Sequence, residues 1–252
     1  MGGGAGTANG SGAAAHVFVD DIGVPVVADD DLHHLRRVLR LRSGERVTAA
    51  DGRGGWRHCR FVDTGRLEPD GEPKALTRPL PAITIGFALT KGDRPEWVVQ
   101  KLTEVGVDRI MPFVAARTVV RWDAAKAGHQ VQRLRAVARA AAMQSRRAWL
   151  PVVEEVLAFE GAVAAMGTGA ALAHPGGRPP ALDRPAVLVG PEGGFAETEL
   201  GLGLATVDLG PTVLRAETAA VACGVLLCSL RAGVVDVSSG PGRVEAPEGR
   251  RP

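Results

Sequence analysis

The chain has 252 residues, 45% hydrophobic and 23% charged, and its 30 basic against 28 acidic residues leave a formal net charge of +2. That length holds one large domain or two modest ones, and the near-zero balance excludes any argument for a partner from total charge. Three cysteines without a CxxC pair, no tyrosine, 4% aromatics and no apolar run of membrane-spanning length exclude a disulfide framework and a helical membrane span, and argue against structural zinc and base-stacking platforms.

Residues 1–15, MGGGAGTANGSGAAA, have neither the basic start nor the apolar stretch of a signal peptide. A soluble cytoplasmic protein is the expectation. Their Gly/Ala content predicts a flexible tail, as does that of 238–252. Residues 16–78 read as a small β module. A strand starts at His16, a second follows Glu45 and ends at Asp51-Gly52, and Trp56–Val62 alternates apolar and polar residues. Between them Leu32, Leu35, Val38 and Leu39 have helical spacing, with Asp29, Asp30 or Asp31 available as the cap. Pro69–Pro81, with four prolines, reads as a linker.

From 79 to 237 the rhythm is of alternating strands and helices. Ala82–Leu89 is a continuous apolar run, as in a buried parallel strand. A helix after Pro95 carries Val98, Leu102 and Val105 on one face, and Arg109–Val114 is a strand. A long helix from about Ala124 to Arg147 has Val131, Leu134, Ala138 and Ala141 as its stripe. Strands are expected at 170–174, 186–190 and 206–209, and a largely apolar helix at 216–231. Such alternation predicts an α/β domain with a parallel sheet.

Three strand ends carry the chemistry, because parallel sheets bind ligands at their carboxyl edge. The first is Leu172-Ala-His174. In the second, Val187-Leu-Val runs into Gly190-Pro-Glu-Gly-Gly194. No Lys-Ser/Thr pair follows, and Glu192 would repel an anion, which excludes a phosphate loop. Gly190, Gly193 and Gly194 permit unusual backbone angles and close ligand approach; a plain tight turn is the bland alternative. The third is Leu209-Gly-Pro-Thr-Val-Leu-Arg-Ala-Glu217, where Arg215 and Glu217 stand at the mouth of an apolar helix as a functional or a capping pair.

The Gly190–Gly194 loop followed by Leu209–Ala219 resembles the RsmE family of ribosomal RNA methyltransferases, within the SPOUT superfamily. Gln100–Val107, Gln144-Ser-Arg146 and His34–Arg40 with Gly44-Glu45 add matches in order over residues 16–232. Met143 stands where many members have Glu. The resemblance implies a PUA-like β-barrel, then a SPOUT domain with a deep trefoil knot, a homodimer, and methyl transfer from S-adenosylmethionine, without a metal. The methyl goes to N3 of a uridine in 16S rRNA, position 1498 in the usual numbering, on naked RNA or the assembled small subunit. It also implies that Leu172, His174, Gly190, Pro191, Glu192, Gly193, Gly194, Leu209, Gly210, Val213 and Leu214 bind the cofactor. Arg215 would stabilise charge on the uracil edge, and Glu217 would orient the base or take its proton, with Glu192 as the rival proton acceptor. Another RNA target, or a non-catalytic assembly factor of the same fold, would share these features.

Local charge points to RNA where the total does not. Of the basic residues 26 are Arg, a bias that suits phosphate and that a GC-rich coding sequence would also give. Residues 32–60 hold eight Arg against Glu45 and Asp51, and Arg36, Arg37 and Arg40 are candidate phosphate contacts. Arg135, Arg139 and Arg146 share a face of the long helix and are the second candidate stripe. A solvated face is the alternative for each.

Overall fold

A computed structural model describes residues 12–62 and 65–236. The N-terminal unit contains β1 (Ala15–Phe18), α1 (Asp29–His33), a π-helical turn (His34–Val38), β2 (Arg46–Ala50), β3 (Gly55–Phe61), β4 (Leu67–Pro69) and β5 (Lys74–Ala75). Its sheet runs β1-β2-β3-β4, with β5 also paired to β3. The β1–β2 pair is parallel and the others antiparallel. Val17, Val47, Cys59 and Phe61 form its core with Leu35.

Two expectations fail here. The helix predicted through Leu39 becomes a π turn after His33, which buries Leu35 but leaves Val38 63% and Leu39 45% exposed. Its cap is Ala28, with no side-chain bond; Asp29, Asp30 and Asp31 occupy the first turn, where their charge suits the helix dipole. The first strand begins at Ala15, and Ala13 before it is already buried. Residues 1–11 of the expected N-terminal tail, and all of the C-terminal one, lie outside the described residues.

The larger unit runs β6 (Thr84–Ala88), α2 (Arg94–Val105), β7 (Arg109–Val114), α3 (Ala124–Gln144), β8 (Val152–Val153), β9 (Leu157–Ala158), α4 (Phe159–Met166), β10 (Ala170–Arg178), β11 (Ala186–Val189), α5 (Glu197–Leu200), β12 (Ala205–Val207) and α6 (Ala216–Arg231). The sheet order is β12-β10-β11-β6-β7-β8, with β9 also on β7, and every pair is parallel. Pro95 near the start of α2 has the φ a helix needs, and Gly106 at φ 103° ends it in the left-handed region. One apolar layer joins Ile83, Ile85, Leu102, Ile110, Leu134, Val187 and Leu227. On another, Phe113, Phe159, Leu188 and Phe195 pack together.

The two units share an apolar seam in which Phe18, Ala50 and Trp56 meet Ala142 and Ala148. Buried Arg147 lies next to it and donates Nη1 to the carbonyls of Thr103 and Val107. Cys59, Cys223 and Cys228 are buried free thiols, and burial pushes Cys223 up to about 12.

Candidate active site

In this sheet β6, the first strand, lies between β7 and β11. The chain's excursions diverge from it, and the carboxyl edge of such a switch point is where α/β sheets bind ligands. A cavity of about 520 Å³ opens to one side of that point, over Ala173–Pro175 of β10 and the loops that follow β11 and β12. His174, Gly190, Pro191, Glu192, Gly193, Gly194, Leu209, Gly210, Val213 and Leu214 all line it, together with Arg117, Phe195, Glu197 and Asp208. Leu172 does not. It is 1% exposed and packs on the Phe113–Phe195 layer, because successive strand residues face opposite sides and Ala173 takes the cavity side.

The loops hold their shape for different reasons. Gly194 at φ 68° and Gly210 at φ 129° need the left-handed freedom of glycine. Gly190 does not; a Cβ there would meet the Phe195 ring at 3.1 Å. Asp208, not foreseen from the sequence, accepts from the amides of Gly176 and Gly210, both at 2.9 Å. Those Gly210 and Gly176 amides hold its carboxyl below the usual carboxylate range and tie two cavity loops together. His174 Nδ1 donates to the Pro175 carbonyl at 2.8 Å.

Two arginines grip the Gly190–Gly194 loop, and neither stood out in the sequence. Arg117 Nη1 donates to the Gly193 carbonyl at 2.9 Å. Arg94 Nη1 donates to Glu192 Oε1 at 3.1 Å, while its Nε lies 3.6 Å from Glu217 Oε1. Behind the loop, Glu199 is 5% exposed and accepts from the amides of Ala116 and Ala196. The end of β7 is thereby fastened to the segment leading into α5.

Arg215 and Glu217 stand at the start of α6 but do not line the cavity. Arg215 is the exposed N-cap residue. The Glu217 side chain is 13% exposed, and its Oε2 is enclosed with no hydrogen-bond partner. Glu192 is 51% exposed and faces the cavity.

The two candidate RNA stripes diverge. Arg36, Arg37 and Arg40 are exposed. Those on α3 and just beyond it are engaged with the protein. Arg135 binds the Val153 carbonyl and Glu155, and Arg139 pairs with Asp31 at 2.7 Å and lies over the Phe18 ring. Arg146 donates to the Ala13 carbonyl at 2.6 Å. Sequence periodicity showed their common face but not that the N-terminal unit would cover part of it.

Two family models match the chain. A family model described as an RNA methyltransferase PUA domain matches residues 27–73, and one described as an RNA methyltransferase domain matches 77–227. The chain is 37% identical to the ribosomal RNA small subunit methyltransferase E of Mycobacterium bovis, over 81% of this chain and 86% of that protein. A crystal structure of the Neisseria gonorrhoeae enzyme of that name, bound to S-adenosylmethionine, superposes with a TM-score of 0.72 at 26% identity, covering 86% of this chain and 97% of that one. A Legionella pneumophila methyltransferase with bound S-adenosylmethionine gives 0.74 at 25% identity, covering 85% and 97%. With this sequence match spanning most of both chains and a family model covering more than half of this one, the chain belongs to the ribosomal RNA small subunit methyltransferase E family.

Proposed function

We propose that this chain transfers a methyl group from S-adenosylmethionine to N3 of a uridine in 16S rRNA, as a cytoplasmic homodimer acting on that RNA or on the small ribosomal subunit. The observation that carries the reading is the cavity at the carboxyl edge of β10, β11 and β12. Its volume suits a small cofactor. Glu192, Glu197 and Asp208 against Arg117 give it an acidic lining, which favours a cationic sulfonium ligand and repels phosphate. The cofactor, when bound, supplies an electrophilic methyl group. The residues to hold it are His174, Gly190–Gly194 and Leu209–Leu214, through backbone groups that the glycines leave accessible and through the apolar faces of Leu209, Val213 and Leu214. The same reading implies that the chain around these loops is threaded as a trefoil knot.

Uridine N3 is a poor nucleophile until its proton leaves, so the protein has to stabilise charge on the uracil edge and remove that proton. Arg215, exposed at the start of α6, is suited to the first task, and Glu217 to holding Arg94 in place. Arg36, Arg37 and Arg40 are suited to RNA phosphates. Dimer formation is supported by exposed apolar residues on the cavity wall and on two helices: Val213 is 99% exposed, Trp97 on α2 43% and Val225 on α6 39%.

The test is to incubate the protein and labelled cofactor with small subunits from a strain lacking this activity, then to map the modified nucleotide by mass spectrometry. N3-methyluridine at a single position is expected. Methylation of another atom or base overturns the substrate assignment.

A further inference from the structure

We propose that Glu192 is the carboxylate that takes the N3 proton of the incoming uridine, and that Arg94 is the positioning residue that holds it, anchored from behind by Glu217. This rests on the N3-methylation reading above. Both carboxylates stood as candidates in the sequence, and their surroundings separate them.

A general base has to reach its proton and afterwards release it. Glu217 can do neither as it lies, since its Oε2 is enclosed and the residue is not on the cavity wall. Glu192 is on that wall, half-exposed, at the end of β11, with Oε1 held by Arg94. The proton it receives can pass to water between turnovers. The other cavity acids are less suited. Asp208 already accepts from two backbone amides that stabilise its ionised form. Glu197 has no ion pair or side-chain hydrogen bond among the described residues to fix its direction.

Arg94, at the start of α2, bridges Glu192 in the loop after β11 and Glu217 in the first turn of α6. An arginine shared in this way limits the rotamers of the outer carboxylate, and only the outer one meets substrate. The N3–H bond breaks with its proton going to a Glu192 oxygen. An N3–CH₃ bond forms, and the methyl's former bonding pair stays on the cofactor's sulfur, which leaves as a neutral thioether.

The experiment measures single-turnover rates from pH 6 to 9 on small subunits for wild type, Glu192→Gln, Glu217→Gln, His174→Gln, Arg94→Ala and Arg94→Lys. Cofactor affinity by calorimetry and melting temperature are recorded alongside. For Glu192→Gln the rate at pH 7 is expected to fall about 10²-fold or more and then to climb about tenfold per pH unit, as hydroxide replaces the missing base. Its cofactor Kd is expected to rise by no more than about tenfold, the share of one of three lining carboxylates, so that the larger loss is in the chemical step. Arg94→Ala is expected to slow the step about tenfold, with partial rescue by Arg94→Lys. A wild-type rate in Glu192→Gln overturns the proposal. So does a hydroxide-dependent profile in Glu217→Gln or His174→Gln with Glu192→Gln unimpaired, or a pH-independent loss in Glu192→Gln. Wild-type protein that makes no N3-methyluridine would instead overturn the parent reading.

Discussion

His16 sits between the two units with both ring nitrogens engaged, Nε2 at 3.0 Å from the Arg147 carbonyl and Nδ1 at 2.8 Å from Thr48 Oγ1. A carbonyl can only accept, so Nε2 carries the proton. Desolvation by burial, with Arg146 adding to it, lowers the imidazole from 6.5 to about 4. Between those values the unfolded chain binds a proton that the folded one refuses, so this group's contribution is intact above about pH 6.5 and is lost as the pH falls toward 4. Taking the pH from 7 to 5 is expected to cost about 2 kcal/mol through His16 alone. Urea unfolding at the two pH values checks it: His16→Gln should lose correspondingly less stability than wild type over that interval, and equal losses would contradict the assignment. The sequence marked His16 only as the start of a strand. Its partner carbonyl lies 131 residues away, and no local pattern encodes such a meeting.

At the scale of elements, α3 shows what periodicity can and cannot tell. Its stripe of Val131, Leu134, Ala138 and Ala141 is buried as the 3.6-residue repeat requires. Its arginines read equally well as a phosphate stripe or as a solvated face, and the structure gives them a third role. Arg139 reaches from α3 to Asp31, the Phe18 carbonyl and the Phe18 ring, and so fastens the helix to α1 and β1. Arg139→Ala is expected to destabilise the protein by about 1–3 kcal/mol, because Asp31 loses its cation at a partly buried site. The salt dependence of RNA binding should be unchanged, whereas a true phosphate contact would lower that slope by about one. Denaturation and filter binding on the same variant separate the two roles. The same limit explains the site. The three strand-end loops were legible because glycine and proline punctuate the ends of apolar runs. Arg94 and Arg117 were not, because their partners lie 98 and 76 residues away and meet only across the folded sheet. The helix expected through Leu39 failed for a related reason: packing of Leu32 and Leu35 on the N-terminal core outweighs burial of Val38 and Leu39.

For the whole molecule, a net charge of +2 averages two surfaces of opposite sense. The cavity wall carries three carboxylates against Arg117, while the N-terminal unit presents Arg36, Arg37 and Arg40 on and just after the π turn. A protein that must hold a cationic cofactor and also grip a polyanion gains from keeping these fields apart, since at physiological salt charges more than about 8 Å apart are largely screened from one another. The exposed Val38 and Leu39 lie beside those arginines on and just after the same turn. The two surfaces are therefore expected to fail independently. Arg37→Ala combined with Arg40→Ala should reduce the slope of log K against log salt for RNA binding by about 1.4–1.8, the release of counterions from two phosphates. Cofactor affinity in that variant should match wild type. Binding titrations from 50 to 200 mM salt, paired with calorimetry on the cofactor, check both halves. An unchanged slope would remove these residues from the RNA surface, and a joint loss of cofactor affinity would show that the two fields are coupled through the fold.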